Sequence, residues 1–180
     1  MESMLLNASQ LLKESIGSTR AYKVSETVDI MEEGDGSPVE GDVKLTRTNR
    51  GILVQGKLRT VVKVTCSRCL CLYDCPLSFD IEEEFFPVID VFSGIPVEMP
   101  EEPGYFTIDE HHILDLTEAI RQGAIVNIHM KPLCREECAG LCAQCGRDLN
   151  QGTCDCPQPG VDKRWSKLAE LKKVSKRKKG

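Results

Sequence analysis

ILVQGKLRTVVKVTCSRCLCLYDCPLSFDIEEEFF, residues 52–86, decides how the chain is read. From Ile52 to Cys66 apolar, mostly β-branched residues alternate with polar ones, the period of a strand with one buried face. From about Leu72 to Phe86 a second such run places Leu77, Phe79, Ile81, Glu83 and Phe85 on one side. Between them, Cys66-Ser67-Arg68-Cys69 falls at the tip of a β-hairpin, where one tight turn can aim two sulfurs at one ion.

Working outward toward the start, Val39 to Arg47 reads as a strand joined to Ile52–Cys66 through Thr48-Asn49-Arg50-Gly51, a polar turn whose glycine allows a left-handed residue. Glu32 to Pro38 reads as a loop, and Ala21 to Ile30 as a strand with Tyr22, Val24, Val28 and Ile30 on one side. The apolar residues from Leu5 to Ile16 suggest a brief helix, started by Asn7 or Ser9 and stopped at Gly17. Toward the end, Val88 to Gly104 is a proline-containing, acidic loop. From Asp115 the period becomes helical, with Leu116, Ala119, Ile120, Ala124 and Ile128 on one side and Asp115-x-x-Glu118 in the pattern of a capping box. Pro132 closes that element and delivers the chain to Cys134. The expected fold is α+β: an antiparallel β-sheet or partly open barrel with a helix, plus a C-terminal zinc-knuckle module and a short basic helix. The expected divisions are a β-rich body at 1–131 with its main helix at about 115–129, a cysteine-rich module at 132–160 and a basic helix or tail at 161–180.

Six of the ten cysteines fall between Cys134 and Cys156, as Cys134-x3-Cys138 and Cys142-x2-Cys145-x8-Cys154-x-Cys156. Thiolates in close pairs match the tetrahedral demand of a structural zinc, and Gly146, directly after Cys145, suits the positive φ of a knuckle turn. The simplest partition gives one ion to Cys142, Cys145, Cys154 and Cys156, and another to Cys66, Cys69, Cys134 and Cys138, for one or two Zn2+ in all. Cys71 and Cys75 are then spare thiols, or replacements for Cys66 and Cys69. Iron-sulfur ligation uses the same residue type, but paired knuckles with glycine fit zinc better. A secreted disulfide scaffold is disfavoured, because Met1 to Leu12 reads as neither a signal peptide nor a membrane span. The expected location is therefore cytoplasmic, where thiols persist as metal ligands or reactive groups.

The net charge of -5 hides an asymmetry. Asp162 to Lys179 holds nine basic residues and two acidic ones, against 14 basic and 26 acidic in residues 1–161. A tail carrying Arg164, Lys167, Lys172, Lys173, Lys176, Arg177, Lys178 and Lys179 can neutralise phosphates, while the acidic body would be repelled by the same polyanion. Trp165, with Leu168 and Ala169, lies on one side of a short helix suited to docking on the body or on a ribonucleoprotein. Catalysis has little support. His111, His112 and His129 lie outside the cysteine clusters, and no phosphate-cradling loop, nucleophile elbow or His-Glu-x-x-His helix is present, so no catalytic residue is assigned. No small-molecule substrate or membrane partner is indicated. The competing readings are a metal-dependent or thiol enzyme, and a protein-interaction scaffold whose acidic face binds a basic ribosomal protein.

Cys66-x2-Cys69-Leu70, the helix at Asp115-Leu116, Lys131-Pro132-Leu133-Cys134, Gly140-Leu141-Cys142-x2-Cys145-Gly146-x-Asp148-Leu149-Asn150, Cys154-x-Cys156 and Asp162-x-Arg164-Trp165-x2-Leu168 together resemble the YceD-like family of large ribosomal RNA subunit accumulation proteins. The resemblance implies a non-enzymatic role in 23S ribosomal RNA accumulation and large-subunit biogenesis, with ribosomal RNA or a large-subunit ribosomal protein as partner. It also implies that zinc is not essential to the activity common to the family, since some members lack the cysteine-rich end. Cys71, Cys75 and the strongly basic finish depart from the family's usual pattern.

Overall fold

The computed structural model describes residues 4–31, 36–100 and 103–157. Seven strands form one sheet: β1 (Leu5–Asn7), β2 (Thr19–Val28), β3 (Ser37–Arg47), β4 (Ile52–Thr65), β5 (Leu72–Pro87), β6 (Phe106–Ile108) and β7 (Ile113–Asp115). Two helices accompany them among the described residues, α1 (Ser9–Lys13) and α2 (Thr117–Asn127). The strand order is β1-β7-β6-β5-β4-β3-β2, and the sheet curls into half a barrel. The chain divides into two compact units, Met1–Cys138 and Ala139–Gly180.

The long strands form where the period of two is longest. Along β4 the buried residues are Ile52, Val54, Leu58, Thr60, Val62 and Val64, while Lys57, Arg59 and Lys63 point to solvent. On the facing strand Cys75, Leu77, Phe79, Ile81 and Phe85 are buried, whereas Glu83, on the same side by alternation, is exposed. Register extends the pattern across the solvent face, where Lys23, Asp42, Lys57 and Asp80 stand directly opposite one another on four successive strands. Opposite charges at directly facing positions favour this register over a slip of one residue, which would turn every apolar side chain outward.

The sheet is mixed rather than wholly antiparallel. After Pro87 the chain leaves β5 and returns with β6 parallel to it, pairing Phe85 with Phe106, whose rings stack at 5.1 Å. A parallel partner needs such a crossover. Asp109 then tightens the turn into β7, its Oδ1 accepting the N–H groups of His111 and Ile113, with His112 left-handed at φ 60°. The opening segment is split between β1 and α1, because Leu5–Asn7 pairs with Ile113–Asp115 before Leu11 and Leu12 turn into the core.

Helix α2 buries Ala119, Ile120 and Ala124 and packs on β5. The Asp115 carboxylate accepts the Thr117 N–H at 2.9 Å. Glu118 does not reach back to complete a capping box; it takes hydrogen bonds from Arg121 and Gln122 instead. Gly123 has a packing role, since a Cβ there would stand 3.0 Å from Ile81 and 3.2 Å from Phe79. Gly51 is likewise required for close approach: its φ is not left-handed, and a Cβ would meet the Phe85 carbonyl oxygen at 2.0 Å. The turn it ends is held by Thr48 Oγ1, which accepts the N–H groups of Arg50 and Gly51 and donates to Glu84.

Candidate metal centres

Two knuckle turns carry the site chemistry, and they share one backbone pattern. In the first, the Leu70 N–H donates to the Cys66 carbonyl at 3.0 Å, the Cys66 N–H donates to the Cys71 carbonyl at 2.9 Å, and the Arg68 N–H points at the Cys66 sulfur at 3.5 Å. In the second, Gly146 N–H donates to the Cys142 carbonyl at 2.9 Å, Cys142 N–H to the Arg147 carbonyl at 2.8 Å, and Gln144 N–H lies 3.5 Å from the Cys142 sulfur. The residue after each Cys-x2-Cys is left-handed, Gly146 at φ 71° and Leu70 at φ 59°. Glycine adopts this conformation without cost, whereas a leucine pays about 1–2 kcal/mol for its Cβ. Leu70 is 62% exposed and contributes little packing. Replacing Leu70 with glycine is therefore expected to raise the stability of the first unit by about 0.5–1 kcal/mol, read as an upward shift of the denaturation midpoint.

Spacing groups the eight cysteines into a local set and a long-range set, and the structure brings the same sulfurs together. Cys66, Cys69, Cys134 and Cys138 form one cluster, and Cys142, Cys145, Cys154 and Cys156 another, with all sulfurs of a cluster within 4.8 Å of one another. In the first, Cys66 stands 3.8 Å from Cys138 and Cys69 stands 3.7 Å from Cys134. A tetrahedron with metal-sulfur bonds of about 2.3 Å has sulfur-sulfur edges of about 3.8 Å, whereas a disulfide needs about 2.05 Å. The donor set therefore fits a four-thiolate ion, and both clusters can hold one.

The first cluster lies wholly in the Met1–Cys138 unit, where one backbone and two side-chain hydrogen bonds tie the 132–138 segment to the hairpin tip. Ser67 N–H donates to the Pro132 carbonyl at 2.8 Å, and the Arg68 guanidinium donates to the carbonyls of Glu136 and Cys138 at 3.2 and 2.9 Å. Arg68 thus fastens the 134–138 segment to the hairpin tip. Cys66 and Cys138 are buried. The second cluster belongs to the other unit, where Asp148 Oδ1 accepts the backbone and side-chain N–H groups of Asn150, and Asn150 Oδ1 accepts the Ala139 N–H. An isolated bridge between Leu141 and Asp148 completes that knuckle.

The first cysteine of each knuckle is made more acidic than a free thiol. Hydrogen bonds from the backbone N–H groups of Cys134 and Cys69 draw the Cys66 thiol down to about 6, and those of Cys145 and Gln144 do the same for Cys142, also to about 6. Burial pushes Cys134 up to about 11, and a hydrogen bond with Cys145 pushes Cys156 up to about 12. Lowering these two thiols favours the thiolate, the form that binds metal.

The remaining cysteines separate. Cys75 is buried on the core face of β5, and Cys71 is exposed, with its sulfur 3.2 Å from that of Cys69. His111 and His112 form the β6–β7 turn, and neither belongs to the grouped ligands. The basic residues singled out in the sequence, Arg164 through Lys179 with Trp165, lie outside the described residues. No helix among the described residues is long and apolar enough to cross a membrane.

A family model described as "Large ribosomal RNA subunit accumulation protein YceD" matches residues 54–172. An Arabidopsis thaliana protein named "Large ribosomal RNA subunit accumulation protein YCED homolog 1, chloroplastic" is 25% identical over 186 aligned positions, covering 86% of this chain and 54% of that protein. Uncharacterized proteins of Mycobacterium leprae and Mycobacterium tuberculosis are each 26% identical, covering 76% of this chain and 60% and 63% of their own lengths. The chain thus spans between 54% and 63% of these curated relatives. No solved structure matches it.

Proposed function

The chain belongs to the YceD family of large ribosomal RNA subunit accumulation proteins, and from that premise we propose that it is a non-enzymatic, zinc-binding cytoplasmic factor supporting 23S ribosomal RNA accumulation and large-subunit biogenesis. The observation that carries the metal reading is the convergence of two sets of four sulfurs, each within 4.8 Å, enough thiolates to fill a tetrahedral ion. All-cysteine closed centres build structure, whereas catalytic zinc keeps a coordination position free and commonly uses histidine. Four thiolates around a divalent ion leave two net negative charges, which the N–H groups of Arg68 and Gln144 at the sulfurs help to offset. In this reading zinc supplies cross-linking, and the residues of the chain supply its cage and the surface that meets the partner.

The partner is ribosomal RNA or a large-subunit ribosomal protein. RNA is favoured by the nine basic residues between Asp162 and Lys179, a local concentration that the acidic remainder lacks. Affinity for a fragment of large-subunit ribosomal RNA, measured across salt concentrations, tests this directly. Truncation after Gly160 is expected to weaken binding by about tenfold to a hundredfold and to flatten its salt dependence, while the Met1–Cys138 unit stays folded. Equal affinity with and without the tail would overturn its role. A complex with a large-subunit protein that survives nuclease would move the reading to the protein partner.

A further inference from the structure

We propose that Cys71 is a peroxide-reactive thiol that opens the first metal centre by forming a disulfide with Cys69, an inference that rests on the metal reading above. Its sulfur lies 3.2 Å from that of Cys69 yet falls outside the four mutually convergent sulfurs. Cys71 is exposed, Cys69 is half-buried, and Cys66 and Cys138 are buried. An accessible thiol that is not a ligand, standing beside a sulfur that can resolve it, is the arrangement of a redox-reactive pair.

The backbone between them makes the bond attainable. Two residues of extended strand separate Cα atoms by about 6.6–7.2 Å, at or past the limit for a disulfide. Leu70 at φ 59° turns the chain instead, and both sulfurs come to the same side. The left-handed leucine at the tip is thus accounted for by what it juxtaposes. The second knuckle supplies a built-in comparison: the position whose carbonyl accepts the first cysteine's N–H is Cys71 in one turn and Arg147 in the other. Among the described residues the second cluster has no fifth thiol beside it.

The chemistry balances with a hydroperoxide as oxidant. The Cys71 sulfur attacks the O–O bond, giving a sulfenic acid and water from hydrogen peroxide. The Cys69 sulfur, leaving the ion, attacks that sulfenic sulfur; the S–S bond forms and hydroxide departs. Two electrons pass from the two sulfurs to the peroxide, and Cys66, Cys134 and Cys138 stay reduced.

The test uses the full chain, reduced and zinc-loaded, treated with hydrogen peroxide while released zinc is followed with a chromogenic chelator. The expected result is release of one ion of two, a mass lower by two hydrogens located to the peptide holding Cys69 and Cys71, and recovery on adding reductant and zinc. Cys71→Ser is expected to keep both ions and to slow release by about tenfold, while Cys75→Ser, altering the buried thiol, releases as the wild type does. Release from Cys71→Ser at the wild-type rate, or a disulfide between Cys66 and Cys69 with Cys71 still alkylatable, overturns the inference and leaves the metal reading standing. Loss of an ion from Cys71→Ser before any peroxide is added overturns it too, by making Cys71 a ligand. A wild-type chain that holds no zinc before oxidation overturns both.

Discussion

Serine in place of Cys66 is expected to remove one of two bound ions and to melt the hairpin tip. Cys66 is fully buried, 3.8 Å from Cys138, and its hydroxyl replacement is a poor donor to zinc. A structural zinc contributes on the order of 10 kcal/mol of apparent binding energy, comparable to the whole stability of a typical domain at about 5–15 kcal/mol. Losing one ligand forfeits much of it, because an incomplete thiolate set in a buried site leaves charge without its counterpart. Native mass spectrometry reads the loss of the ion, and denaturation with and without chelator reads the stability. Serine at Cys142 should remove the other ion and leave the denaturation of the Met1–Cys138 unit unchanged, since Cys142 belongs to the other compact unit. A Cys66→Ser chain that holds two ions and denatures like the wild type would mean that the first cluster binds nothing of consequence.

Valine in place of Gly51 is expected to cost about 3 kcal/mol or more. The obstacle is backbone, not a side chain that can turn aside: a Cβ would sit 2.0 Å from the Phe85 carbonyl oxygen and 3.3 Å from the Phe86 Cα. To make room, the start of β4 must leave β5 and break the pairing of Ile52 with Phe85, both fully buried. Gly17 is the control. It is left-handed at φ 92° with nothing within 4 Å of an added Cβ, so alanine there should cost only the conformational penalty of about 1–2 kcal/mol. Urea midpoints of the two variants separate these causes, and equal shifts would mean that the close approach at Gly51 is relieved cheaply.

What could be read in one dimension was what repeats locally. Strands β2 to β5 keep a period of two over ten residues or more, and their ends in the structure fall within two residues of the sequence expectation. Strands β6 and β7 have three residues each, too few to show a period, and their place depends on partners that the sequence does not adjoin: β5 in parallel, and β1 from the far start of the chain. Gly51 reads as a turn former because composition reports conformational freedom; the close approach of β5 that requires it, and that also sets Gly123, is a tertiary fact. The knuckles were visible as Cys-x2-Cys, but the backbone equivalence of Cys71 with Arg147 emerges only once the turn's hydrogen bonds are drawn. Asp115 and Glu118 had the spacing of a capping box, yet Glu118 found a nearer charge in Arg121.

The first cluster joins sulfurs 65 and 72 positions apart in the chain, and that separation sets an order of events during synthesis. At about 5–20 residues per second, a ribosome exposes Cys66 and Cys69 roughly 4–14 s before it delivers Cys138. For that interval the tip is a half-site with two sulfurs and vacant coordination positions, open to loosely held ions and to oxidants alike. Completion of the body therefore waits on the last residue of its own unit, and nascent chains stalled before Cys138 are the forms most exposed to mismetallation.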